Sequence, residues 1–358
     1  MSEQPIPHLG LTSWPFNRAG PDVGEIWIGR PDLQRRLTIL LRSATRVRAS
    51  QLVLLWADLG AGKTHALRYL EAKAKANPDL VTLFVTTPRG ISSFFDVYRA
   101  CIDGAIAVGA LAAAGRDLFD ETKGKVSTDV ERAIIRIGLY GEEDGRIAQA
   151  WLRGDSVQRQ AVKELDVTSH IRTPPEAIDA LNDLIRILRR GGRTVLLLID
   201  EVQELSDLAP KKQAEAVGGL HKVFDRNPEG LAMVLSFTTA SQGTMHNIIG
   251  GPLSDRANDT ISLPSLSLVE AQELISGLLR HWDVDPPRTP SLFEPQVIAS
   301  VVGVLSELLP ALSPRDVMNA FDAILREADL DIEEGTIATI DEAYALARIP
   351  ESDSGQAS

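Results

Sequence analysis

The chain has 358 residues, of which 44% are hydrophobic and 24% charged, an ordinary globular balance with ample apolar material for a core. Its formal net charge of −12 disfavours broad nonspecific binding to nucleic acid, which needs surplus Lys and Arg. One cysteine, Cys101, rules out an internal disulfide and reads as a packed thiol, and the six scattered histidines form no metal-site spacing.

Residues 1–25, rich in Pro and Gly, read as an extended lead-in without a signal-peptide pattern. "EIWIGR" is short and β-like or turn-like. "PDLQRRLTILLRSATR" follows with apolar residues at Leu33, Leu37, Leu40 and Leu41, a helical spacing opened by Pro31. "QLVLLWA" is a continuous apolar run of strand length, as in a buried parallel strand, and "THALRYLEAKAKA" is a helix after it. "DLVTLFVTT" is the next strand. Residues 91–190 read as a largely helical stretch that ends in "PPEAIDALNDLIRILRRGG", a helix started by Pro and stopped by Gly. "TVLLLIDEVQEL" is a strand entering an acidic turn, "KKQAEAVGGLHKVFDRN" a helix and "GLAMVLSFTT" a further buried strand. A short strand at "DTISLP", a helix from near Ser267 and three or four helices over 290–346 complete the chain before a tail at 349–358 that reads as disordered. Strands alternating with helices imply an α/β fold with a parallel sheet. No apolar run reaches the ~20 residues that span a bilayer, so a cytoplasmic protein with no membrane contact is expected.

Two arginine groups interrupt the acidic balance. Arg35, Arg36, Arg42, Arg46 and Arg48 follow Arg30 early in the chain, and Arg186, Arg189, Arg190 and Arg193 form a second patch. Either could be a solvated helix face, and the second could line a pore.

Three segments carry candidate chemistry. "ADLGAGKTH" nearly spells a phosphate-binding loop, with Ala57 where the first Gly usually stands. In such a loop Gly60, Ala61 and Gly62 turn backbone N–H groups around the phosphates, aided by the N-terminal end of the following helix, which runs through His65. Lys63 would reach the β- and γ-phosphates and the Thr64 hydroxyl would ligate Mg²⁺. The second segment is "LLLIDE": Asp200 would hold the Mg²⁺ through water, and Glu201 would polarise an attacking water, which favours hydrolysis over nucleotide held as structural glue. The third is the end of "MVLSFTTAS", where Thr238 or Thr239 could orient that water. Charge developing on the γ-phosphoryl group is best met by a guanidinium, often from a neighbouring subunit; Arg315 and Arg256 are the candidates, with Arg226 behind them.

In this order the motifs resemble an AAA+ ATPase over roughly residues 10–345, in the branch of origin-recognition initiators, transposon target-selection ATPases and secretion-type ATPases. The resemblance implies a P-loop core over 26–265 with a helical insert at about 91–190, and an α-helical lid over 266–348. It also implies that Ile28 and Gly29 line the base pocket, that ATP and Mg²⁺ are the cofactors, and that the chain forms a homo-oligomer. "QAWLRGD", with Trp151, Leu152, Arg153 and Gly154, and the helix leading into the acidic strand are similar to ATP-binding proteins of BREX-type phage-exclusion systems. No winged-helix DNA reader is evident after the lid, which speaks against direct sequence-specific DNA reading, and DNA is carried only as a possible partner.

Two functions are carried forward. One is an ATP-hydrolysing AAA+ motor or switch that drives assembly or conformational change in a bacterial DNA-linked system, phage defence or transposition. The other is a nucleotide-dependent scaffold that recruits an effector through the insert with little turnover. A metabolic kinase fits less well, because the late helices ending in "SPR" suit a AAA+ lid better.

Overall fold

The computed structural model describes residues 5–16, 24–139, 142–285 and 291–349; the polar tail from 350 onward lies outside them. In chain order the elements are α1 (Pro31–Arg46), β1 (Gln51–Ala57), α2 (Lys63–Lys75), β2 (Leu80–Thr86), α3 (Phe94–Ala107), α4 (Ala110–Thr122), α5 (Asp129–Leu139), α6 (Glu142–Leu152) and α7 (Arg159–Glu164). There follow α8 (Pro174–Leu188), β3 (Thr194–Asp200), α9 (Pro210–Arg226), β4 (Leu231–Thr238), α10 (Gln242–Ser254), β5 (Asp259–Ser262), α11 (Leu268–Trp282), α12 (Pro295–Leu308), α13 (Pro314–Glu333) and α14 (Glu342–Leu346). The chain divides into two compact units, one of 37–57 and 70–262, the other of 1–36, 58–69 and 263–358.

The first unit is built on a five-stranded sheet in the order β2-β3-β4-β1-β5, with every pairing parallel. The central strands are nearly pure aliphatic runs because helices cover both faces of such a sheet. β4 stands between β1 and β3, with Ala57 opposite Thr238 and Ile199 opposite Leu235. The C-terminal ends of β1, β3 and β4 therefore lie side by side on one edge, the edge at which open α/β sheets receive ligands.

The helical stretch at 91–190 packs into the same core as the sheet. α4 and α5 approach so closely that a Cβ on Gly115 would stand 2.1 Å from the carbonyl oxygen of Ile134, and one on Gly138 would stand 2.7 Å from the Arg116 nitrogen. The residues of "QAWLRGD" are occupied structurally. Trp151 and Leu152 are buried, the Trp151 indole donates to the Ser169 carbonyl at 3.0 Å, and Arg153 pairs with Asp103 at 3.0 Å. Cys101 is buried as expected, and burial pushes its thiol up to about 12, which makes it inert.

Three arginines of the second patch are engaged in ion pairs. Arg190 reaches Glu121 at 2.9 Å and Glu131 at 3.2 Å, Arg193 reaches Asp117 at 3.2 Å, and Arg186 reaches Asp183 at 3.0 Å. The Arg190 and Arg193 contacts fasten the turn after α8 to acids on α4 and α5, while the Arg186–Asp183 pair lies within α8. One helix escaped the sequence reading: α10, whose Gly243, Gly250, Gly251 and Pro252 break the pattern and whose backbone kinks at Gly250.

The other unit has its own core, formed by α11 to α14. Where an extended lead-in is expected, residues 5–16 make a turn. Leu11 bridges to Ile6 and to Asp283, and Leu9, Leu11 and Phe16 are buried in the helical cluster. Burying those three apolar side chains explains why this stretch does not trail in solvent. α11 opens with a reciprocal Ser267–Glu270 cap, and α13 opens with the Ser313 hydroxyl accepting from the Asp316 amide, with Pro314 next. Among the described residues no single helix is long and apolar enough to cross a membrane.

Candidate active site

The loop after β1 belongs to the unit that carries α11 to α14. Gly60 and Gly62 have φ of +81° and +100°, the left-handed region that glycine enters freely. A Cβ on Gly60 would also sit 2.8 Å from the Ser313 hydroxyl and 3.0 Å from the Arg315 Cβ. The Arg315 amide donates to the Gly60 carbonyl at 3.3 Å. The first turn of α13 thus rests on the loop of its own chain, with Arg315 exposed beside it. Ala57 is the last residue of β1 and is not among the positive-φ positions, so the missing first glycine demands nothing that alanine cannot supply.

Lys63, the first residue of α2, is buried, and its ammonium donates to the Asp58 carbonyl at 2.8 Å. Thr64 is exposed at the helix start and His65 follows it. Burial holds the His65 imidazole below its usual value, while a hydrogen bond at Ile26 works the other way. Trp27 lies against His65 at 5.5 Å and Tyr69 at 4.8 Å between ring centroids. Ile28 packs on Gly277 of α11, where an added Cβ would stand 2.5 Å from its Cγ2. Gly29 has φ of +67° and Arg30 has φ of +47°.

Sequence reasoning passed over the reach of Arg30. Its guanidinium donates to the Ala61 carbonyl at 3.1 Å and to the Pro264 carbonyl, so one side chain ties the loop to the entry of the helical domain. Burial lowers its affinity for the proton and Glu270 raises it again. The left-handed backbone of a non-glycine residue here, costing about 1–3 kcal/mol, was the trait to look for, and no sequence pattern discloses it.

In the sheet unit, Asp200 is buried at the end of β3. Its carboxylate accepts the Glu201 amide at 3.0 Å and its carbonyl accepts the Thr87 amide at 2.9 Å. Glu201 adopts φ of +57° at the start of a 3-10 turn, Val202–Asp207. That left-handed turn brings the Glu201 carboxylate to the end of β4, where the Thr238 hydroxyl donates to it at 3.2 Å. Thr238 and Thr239 separate here. Thr239 is buried, with its hydroxyl donating to the Ser241 carbonyl at 3.3 Å in the turn that caps α10. Arg256 pairs with Asp225 at 3.2 Å, and Arg226 pairs with Asp179.

No protein-family model matches the chain, and no curated protein matches it. Solved structures do. The ORC2 protein of Aeropyrum pernix, in ADPNP–ADP complexes, superposes with a TM-score of 0.59 at 13% identity over 95% of this chain and 73% of that one. The Walker-type ATPase PABY2304 of Pyrococcus abyssi gives 0.53 at 14% identity over 94% and 75%. The ORC1 protein of Aeropyrum pernix in complex with DNA gives 0.52 at 15% identity over 94% and 68%. The fold is that of the AAA+ P-loop NTPases. At such identities the likeness fixes the AAA+ architecture and leaves the chemistry to the residues above.

Proposed function

We propose that the chain is an AAA+ ATPase that binds Mg²⁺-ATP and hydrolyses it to drive oligomer assembly or conformational switching. The observation that supports hydrolysis best is the Thr238–Glu201 hydrogen bond, because it puts a hydroxyl from the end of β4 on the carboxylate that would polarise water. The roles follow the residues: Gly60, Ala61 and Gly62 wrap the phosphates, Lys63 neutralises them, and Thr64 and Asp200 serve the metal. Ile28 and Gly29 serve the base, and His65 lies beside them through Trp27. Arg315, seated on the loop of its own chain, meets γ-phosphoryl charge in cis. Arg256, half exposed on an ion pair, is the candidate for a neighbouring copy.

The setting we favour is a bacterial DNA-linked system, phage defence of the BREX type or transposition, with an effector recruited by the insert. Support for DNA comes from the outer face of α1. Arg35, Arg42 and Arg46 are exposed there and make no ion pair among the described residues.

Phosphate release and nucleotide binding test the reading. Wild-type protein should hydrolyse ATP only with Mg²⁺, with a specific activity that rises with protein concentration. Glu201→Gln should keep nucleotide and lose at least about a hundredfold in kcat; Lys63→Ala should lose binding as well. Hydrolysis unchanged by Glu201→Gln would refute it.

A further inference from the structure

Gln203 is a side chain that the proposed reaction does not yet use. It sits in the 3-10 turn two residues after Glu201. Its carbonyl Oε1 accepts the backbone N–H of Thr238 at 2.8 Å, and its Nε2 donates to the Glu201 carboxylate. The orientation of the amide follows from chemistry. A backbone N–H needs an acceptor, so Oε1 must face β4, and the nitrogen is left for the carboxylate. The Thr238 hydroxyl donates to the same carboxylate oxygen, Oε2. Two groups from the turn after β3 and one from the end of β4 therefore close one ring of hydrogen bonds. Glu201 enters that ring through a left-handed backbone that a non-glycine residue adopts only when its surroundings hold it there.

Resting on the ATPase reading above, we propose that Gln203 is the positioning residue for Glu201. It anchors to the β4 backbone and aims the carboxylate, so that the general base keeps its place when the Thr238 hydroxyl turns to another acceptor. Thr238 has a single proton to give. A terminal phosphate oxygen that takes it leaves Glu201 with one donor, Gln203, whose own hold is on the Thr238 N–H and does not depend on the hydroxyl. The unshared oxygen, Oε1 of Glu201, is then the one aimed at water.

The test compares full-length wild type, Gln203→Ala, Thr238→Val and the double variant, by steady-state Mg²⁺-ATP hydrolysis and by direct titration with a fluorescent ATP analogue. Gln203→Ala should lower kcat about tenfold with KM and analogue affinity within about twofold, as expected for a misaimed base in an intact binding site. The double variant should lose at least the product of the two single effects, since Gln203 holds Glu201 when the Thr238 hydroxyl is gone. Gln203→Glu, which keeps the size and removes the donor, should lose at least as much kcat and carries the test if the alanine variant does not fold. A Gln203→Ala kcat that is unchanged or raised, or a loss that appears in affinity, overturns the assignment. A wild type that binds the analogue without hydrolysing ATP overturns the ATPase reading, and the assignment with it.

Discussion

Two groups of arginines, alike in sequence, meet opposite fates. Arg186, Arg190 and Arg193 at the end of α8 are engaged by Asp183, Glu131, Glu121 and Asp117. Arg35, Arg42 and Arg46, spaced by seven and four along one face of α1, stay exposed without ion pairs among the described residues, and Ile39 is exposed between them. The difference lies in where acids arrive. The helical insert folds back and delivers Glu121, Glu131 and Asp117 to Arg190 and Arg193 from 50 to 80 positions earlier in the chain, and among the described residues no acid pairs with Arg35, Arg42 or Arg46. In a protein of net charge −12, the first group is internal fastening and the second is unspent positive surface.

The comparison breaks most forcefully at Glu131. Its carboxylate is 4% exposed and serves Arg190, the Ser127 and Thr128 amides and the Ser127 hydroxyl. Removing one partner of a buried pair leaves the other uncompensated, so Glu131→Ala should cost about 3 kcal/mol in chemical denaturation. Burial would raise the pKa of this carboxyl, but the hydrogen bonds from Ser127 and Thr128, with Arg186, hold it below the usual value. With the folded pKa below the unfolded one, this contribution is full above the ordinary carboxylate range and is lost as pH falls through the folded value. Wild type should therefore lose more stability than Glu131→Ala between neutral pH and pH 3, measured by urea midpoints. Equal losses would mean that Glu131 is not held as an anion.

Next in size is the effect of the free face on DNA. Arg35 to Arg46 spans about 16 Å of helix at ~1.5 Å per residue, enough to meet several phosphates of one duplex. Replacing Arg35, Arg42 and Arg46 together by Glu should weaken duplex binding at least about tenfold at low salt and flatten the salt dependence by up to ~3 in log–log slope. ATP binding should not change. A triple variant that binds duplex as wild type does would show that α1 faces water alone, and the contrast with α8 would then concern stability only.

Much of the architecture was legible. The runs "QLVLLWA", "TVLLLID" and "LAMVLSFT" are strands because only a sheet buried on both faces suits them. The loop and the acidic turn were legible because phosphate and metal chemistry restrict those positions to few residue types. What escaped depends on neighbours the sequence does not rank. Thr238 rather than Thr239 meets Glu201 because β4 lies beside β3, and Gln203 is caught between them for the same reason. Arg30 and the α8 arginines looked like any exposed cation until distant carbonyls and carboxylates were placed around them. α10 was hidden by its own glycines and proline, which tertiary contacts override.

The smallest effect discriminates most cleanly between the two groups. Arg42→Ala removes a charge with no ion pair among the described residues, so its stability change should stay within about 0.5 kcal/mol in either direction. It should tend to the destabilising side only as far as the aliphatic stem covers neighbouring surface. Arg190→Ala strands Glu131 with fewer donors and should cost about 2 kcal/mol. Added salt sharpens the contrast. Screening acts on exposed charges and hardly reaches a carboxylate that is 4% exposed, so the Arg190→Ala deficit should persist at 1 M NaCl. A deficit that salt erases would make Arg190 a surface pair like any other, and the two groups would differ in sequence position alone.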